Sequence, residues 1–356
     1  MILIFTSAKD GRPYYMRDLL NVCCEPSGRI ITFGYRNKWV ANELQSVANL
    51  DGKDALIIFS ERDASDPHCF RYHPIRWAKI IRPSSECGSV TIPLQLAGWF
   101  DYQKHGGRAP ANMTELGPNV SGADAQGSPA AETHQTALVR ESKDCDKSDF
   151  SGDWLPLVEY MSRLEGLKSC TFFHEQEGGL PGSKITPLSS TATSEPGKLQ
   201  YTVEAGKSYQ MTYKVFFGEG AAQKPMKIGV SEKVASIGGP FVSQWSSGFE
   251  ASFVLNFSRS FESETSTLSV TVPPKTEDKI EAPEIHALLK VKVPRYVLWC
   301  AIILMVFGSV LISLAEEPAF GRDLAFNLMM LVKGAGAFSL GVGSWIGFRK
   351  LPFAGG

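Results

Sequence analysis

Histidine is scarce in this 356-residue chain, with six copies, and its seven cysteines follow no repeating spacing. Cys23, Cys24, Cys69, Cys87, Cys145, Cys170 and Cys300 are odd in number, and the last lies inside an apolar run. That distribution argues against an extracellular disulfide framework and for a reducing compartment. The one His/Cys group, His68, Cys69, His73 and Cys87, matches no standard zinc spacing, so His73 is expected to be a hydrogen-bonded strand residue. Walker, Rossmann, zincin and nucleophile-elbow patterns are all missing. No acid/base or nucleophile constellation can be named, so no enzyme and no cofactor are expected. Net charge is nearly absent too. With 36 basic against 37 acidic residues, the chain has no global pull towards nucleic acid, although a local basic groove remains open.

A signal peptide also fails to show. Met1-Ile2-Leu3-Ile4-Phe5 has no basic flank and turns polar at Thr6, too short for the ~7–15 apolar residues required. It reads as a buried first strand, which places the soluble part in the cytoplasm. Residues 1–102 then form a small β-rich domain with one helix. Its strands are Ile2–Phe5, Arg29–Phe33, Ala55–Phe59, Phe70–Ile81 and Ser89–Leu94. Trp39, Val40, Leu44 and Val47 recur at helical spacing, which predicts an amphipathic helix over Asn37–Leu50. So many short strands with one helix suit a strongly bent sheet or partly open barrel.

Residues 103–149 hold no aromatic side chain and are rich in Gly, Ala, Ser, Pro, Asn and Asp. Such a segment buries too little apolar surface to offset its ordering entropy, and is expected to be a flexible linker. A short helix-containing segment, 150–180, and a Pro/Ser/Thr-rich linker, 181–198, follow. Residues 199–293 carry the clearest period-two alternation, for example Tyr209, Met211, Tyr213, Val215 and Phe217. Turn residues at Ala205-Gly206 and Gly238-Gly239-Pro240 separate the strands. Six or seven such strands predict a two-sheet sandwich of the immunoglobulin-like class, by architecture and without its disulfide.

Beyond the sandwich, Tyr296 to Ala315 contains no charged residue, and Leu324 to Phe348 contains one, Lys333. At ~1.5 Å per residue both lengths match a hydrocarbon core of ~30 Å, so 296–348 is expected to be a transmembrane hairpin. Lys290, Lys292, Arg295, Arg349 and Lys350 flank it, against Arg322 alone in the intervening loop. The positive-inside rule then makes it two-pass in the plasma (inner) membrane, with both termini cytoplasmic. The expected fold class is therefore a mainly β soluble part followed by two transmembrane helices, with the lipid bilayer as a partner.

Two sets of residues stand out. Arg71, Tyr72, Arg76, Trp77 and Lys79 interleave cations with aromatic rings, a pattern that can stack a base while holding its phosphates. A nucleotide or protein ligand is the expected occupant, weighed against an ordinary two-faced strand. In the hairpin, Ala337 with Gly341 and Gly343 with Gly347 form small-xxx-small pairs beside Lys333. They point to membrane assembly or a pore, and to a homo-oligomer. The function expected is a membrane-anchored sensor and effector. Its β domains bind a ligand or partner, and its hairpin oligomerises and can perturb the membrane, as in stress or defence. The alternative is a passive tethered scaffold.

Overall fold

The computed structural model describes residues 1–6, 13–62, 70–110, 137–142, 147–176, 180, 184–185, 197–221, 223–245, 248–258, 263–274, 280–316 and 332–342. The described chain is mainly β, in three sheets.

The N-terminal unit opens with β1 (Ile2–Thr6), every residue of which is buried. α1 (Pro13–Cys24) follows, with Leu19, Leu20, Val22, Cys23 and Cys24 turned into the core. β2 (Ile30–Arg36), β3 (Asp54–Arg62), β4 (Phe70–Ile80), β5 (Ser84–Glu86), β6 (Ser89–Trp99) and β7 (Val139–Glu141) complete a seven-stranded sheet. Its order is β2-β6-β4-β3-β1-β7, with β5 on β6. β1 runs parallel to β3, because α1 and β2 intervene as a crossover. α2 (Trp154–Met161) packs on the same core through Trp154, Leu157, Val158 and Met161.

Three expectations change here. Asn37–Leu50 is not an α-helix but three 3-10 turns, at Asn37–Trp39, Asn42–Leu44 and Val47–Asn49. Polar side chains hold the backbone in this alternative: Gln45 Nε2 donates to the carbonyls of Asn37 and Val40, and Asn49 Nδ2 to that of Glu43. The chain also bridges β7 at Val40–Val139, which requires extended backbone inside the predicted helix. The second change is at 103–149. Val139–Glu141 pairs antiparallel with β1, and Phe150 at the end of the 3-10 turn Lys147–Phe150 is buried in the core. Residues 111–136 lie outside the described residues. Third, 150–180 is not a separate segment. α2 belongs to the N-terminal core, and β8 (Thr171–Glu175) joins the next sheet.

The second unit has two sheets around one core. β13 (Ala235–Trp245), β14 (Gly248–Phe257), β11 (Ser208–Phe217) and β8 form one in that order. β12 (Lys227–Gly229), β15 (Glu264–Thr271), β16 (Glu284–Lys292), β10 (Leu199–Glu204) and β9 (Lys184–Ile185) form the other. The first long strand, β10, runs parallel to the last, β16, while the other pairs are antiparallel. Met211, Tyr213 and Val215 face Leu268, Val270, Leu289 and Val291 across the core, as period-two alternation requires. Gly238-Gly239-Pro240 is not a turn between strands. It sits inside β13, where a bulge lets the strand carry one extra residue past β14, and Gly239 takes φ 105°.

α3 (Arg295–Glu316) continues from β16, and a second helix covers 332–342. Among the described residues, no helix is long and apolar enough to cross a membrane. The expected transmembrane hairpin over 296–348 is therefore corrected, and with it the two-pass topology and the plasma (inner) membrane placement.

The two helices pack closely and antiparallel. A Cβ on Gly308 would lie 2.6 Å from the Gly336 carbonyl and 2.6 Å from the Leu340 nitrogen. At the other end, Val297 and Ala301 are buried against Val342.

Candidate functional site

β4 carries the five residues expected to bind a ligand, and pairing with β3 decides where each points. Arg71 opposes Glu61 and Arg76 opposes Ile57, while Tyr72, Trp77 and Lys79 oppose Ser60, Leu56 and Asp54. A bulge between Ile57 and Ile58 shifts the alternation by one. Arg71 and Arg76 consequently share one face, and Tyr72, Trp77 and Lys79 share the other. The five do not form a single groove.

Their burial separates them further. Arg71 and Lys79 are exposed, Trp77 is half-buried, and Tyr72 is buried edge-on against Phe5. Burial pushes the Tyr72 phenol up to about 12, against the pull of Arg140. Trp77 keeps part of the expected chemistry. Lys147 Nζ stands 5.4 Å from its ring centroid, and Lys147 pairs with Asp54. Lys147 and Asp54 also line a shallow polar groove of 390 Å³ with Met1, Lys53 and Glu141. There Lys53 pairs with Glu141 at 3.3 Å, so both lysines of the groove already have carboxylate partners.

Arg76 is the unexpected member, with no exposed surface. Its Nε donates to the Ala97 carbonyl at 2.6 Å, Nη1 to Val22 at 3.2 Å and Glu25 at 2.6 Å, and Nη2 to Ser27 Oγ at 3.0 Å. The guanidinium lies 4.4 Å from the Trp99 ring centroid. Burial pushes it down to about 9, opposed by Cys23, Glu25 and Cys24, so it remains charged at neutral pH. Its role is to hold the chain together, not to meet a ligand.

What Arg76 holds is the end of α1. The last intrahelical bond runs from Glu25 N–H to the Asn21 carbonyl, at 2.8 Å. The next carbonyls have no partner in the helix and need one from outside it. Arg76 supplies those for Val22 and Glu25. Trp154 Nε1 donates to Cys23 at 3.0 Å, and His174 Nδ1 to Cys24 at 3.1 Å. Three segments far apart in sequence thus converge on four successive carbonyls. Cys23 and Cys24 themselves are inert, since burial pushes Cys23 up to about 12 and Cys24 well above its ordinary value.

A second polar cluster surrounds His73, which is buried. Its Nδ1 lies 2.8 Å from the Tyr160 hydroxyl, and its Nε2 lies 3.7 Å from Glu61, an ion-pair distance beyond hydrogen-bond reach. Burial tends to raise the Glu61 carboxyl, but the neighbouring His73 imidazole and the hydrogen bond from the Gly166 N–H leave it lowered overall. Tyr160 stacks on Tyr102 at 3.9 Å. This is the hydrogen-bonded strand histidine expected from the sequence. His68 and Cys69, considered with it for zinc, lie outside the described residues. Among the described residues no group of His, Cys, Asp and Glu could hold a metal ion.

Of the assembly residues, Lys333, Ala337 and Gly341 are described, while Gly343 and Gly347 lie outside the described residues. Lys333 is half-buried. Ala337 is exposed, and a Cβ on Gly341 would meet nothing within 4 Å, so this small-residue pair faces away from α3. The close contact uses Gly308 and Gly336 instead. On the other side of α3, Trp299, Ile303, Val306 and Val310 are 63, 62, 59 and 49% exposed. Their spacings of four, three and four residues draw one continuous apolar seam, joined by Ile302 and Phe307.

Comparison with protein-family models and with curated proteins finds no match to this chain.

Proposed function

We propose that this is a recognition and assembly protein: its β units take up a ligand or partner, and its helix pair joins copies into a homo-oligomer. The observation that carries this reading is the apolar seam of α3. Exposed apolar patches that are contiguous mark interaction sites, whereas scattered ones need no explanation. A repeat of four and three residues is the spacing with which one helix seats its side chains against another. Gly308 and Gly336 hold the 332–342 helix on a different side of α3, which leaves the seam exposed among the described residues. No charged side chain interrupts it, so two copies meet without like-charge repulsion. On the recognition side, the surface around Trp77, Lys79 and Lys147 keeps an aromatic ring beside cations.

Cys300 is exposed one residue from Trp299 and serves as a built-in probe. With the other exposed described thiol removed by Cys87→Ser, a bifunctional thiol reagent added to the full chain should give covalent dimers through Cys300. Cys300→Ser should abolish them, and Ile303→Glu should reduce them strongly. Absence of cross-linked species, or species unaffected by Ile303→Glu, would overturn the assembly reading. So would binding of the intact chain to lipid vesicles as a monomer, because the seam would then have a different occupant.

A further inference from the structure

β8 stands between the two units, and its alternation serves both. Phe173 enters the sandwich core, while Phe172 enters the N-terminal core along with Phe216 of β11. His174 shares the face of Phe172, so this sandwich strand sends an imidazole into the N-terminal unit. Its ring is 4.9 Å from that of Trp99, edge to face, and stacks on Trp154 at 5.6 Å. Because the Cys24 carbonyl can only accept, Nδ1 carries the proton of that hydrogen bond.

The charges around this ring are mostly unfavourable to a second proton. From β4 comes the guanidinium of Arg76, and from β11 comes Lys214, the residue directly paired with His174. β6 and α2 contribute the tryptophan rings, and α1 contributes Cys23 and Cys24, both held as neutral thiols. The nearby carboxylate, Glu25, is engaged through both oxygens by Arg29, at 3.0 and 3.1 Å. Nothing among these described groups is free to neutralise an imidazolium.

We infer that His174 is a protonation-sensitive latch between the two β units: the neutral ring holds the sandwich on the end of α1, and a proton taken from solvent at Nε2 releases it. Consistent with this geometry, burial pushes His174 down to about 4, with Arg76 and Lys214 acting in the same direction and the Cys24 carbonyl against them. The ordinary value of ~6.5 returns once the ring is released to water. The released state therefore binds more protons between those two values, and opening grows as pH falls through that window. Above ~6.5 the latch is closed and insensitive to pH.

Hydrogen exchange on the full chain, corrected for the intrinsic pH dependence of exchange, reads the latch at residues 171–176 and 19–27. Between pH 7 and pH 5 the opening constant there should rise about twentyfold. His174→Gln keeps a donor for Cys24 without a titrating group, and should remove this dependence. His174→Lys should leave the junction open already at pH 7. An identical pH profile in His174→Gln, or a flat profile in the unmodified chain, would overturn the proposal. If His174→Gln does not fold, titration of the His174 ring by NMR in the unmodified chain decides. A midpoint near 4 supports the latch, and one near the ordinary ~6.5 overturns it.

Discussion

Trp154→Phe isolates one strut of the α1 terminus. The substitution keeps an aromatic ring to pack among the buried side chains and to face His174, but removes the indole N–H that donates to the Cys23 carbonyl. Leaving a buried acceptor without its partner costs about 1–3 kcal/mol. The missing part of the indole adds about 1 kcal/mol for the void it leaves in a close-packed interior. A loss of about 2–4 kcal/mol is therefore expected, large against a typical stability of ~5–15 kcal/mol. Urea unfolding of the full chain, followed by circular dichroism, measures it. With two β units the curve can show two transitions, and the shift should fall on the one that carries the N-terminal unit. Lys79→Ala, at an exposed position on β4, provides the control and should stay within ~0.5 kcal/mol. A Trp154→Phe loss no larger than that of Lys79→Ala would refute the claim that these carbonyls depend on outside donors.

Other outcomes follow from the same packing. Gly98→Ala should lower stability by about 1–3 kcal/mol or more, read from the same urea curves, because its Cβ would sit 2.0 Å from the Phe150 carbonyl. Gly308→Leu should separate the two C-terminal helices, seen as faster exchange in 332–342 with the β units unchanged, since a 2.6 Å approach leaves no room for a side chain. If a nucleotide or single strand is recognised at β4, Trp77→Ala should weaken it by about 1–3 kcal/mol in a titration, whereas Arg71→Ala, on the other face of the sheet, should not.

The sandwich was legible because each strand with one face inward writes its burial as alternation, as at Tyr209 to Phe217 and Phe249 to Phe257. Where a bulge breaks that period, the reading failed. β13 passes through Gly238-Gly239-Pro240, residues that otherwise signal a turn, and β4 shifts register beside Ile75, which sent Arg76 inward. α1 was missed although Met16, Leu19, Leu20, Cys23 and Cys24 recur at i, i+3, i+4, i+7 and i+8, the spacing of an apolar helix face. The helix read over Asn37–Leu50 had suitable spacing, but spacing takes no account of Asn and Gln side chains that compete for the backbone. The apolar run after residue 295 was read as a transmembrane helix, whereas among the described residues no helix is long and apolar enough to cross a membrane, and hydropathy alone could not show which side of α3 meets a neighbour. Convergence on the end of α1 had no local signal at all, because Arg76, Trp154 and His174 meet only through the tertiary fold.

The mass of the full chain in solution, by sedimentation equilibrium across a range of concentrations, tests assembly through α3 most directly. The account predicts a homo-oligomer for the unmodified chain and a monomer for Val306→Glu, with the circular dichroism of the β units unchanged. A monomer at every concentration, or an oligomer that survives Val306→Glu, would contradict it.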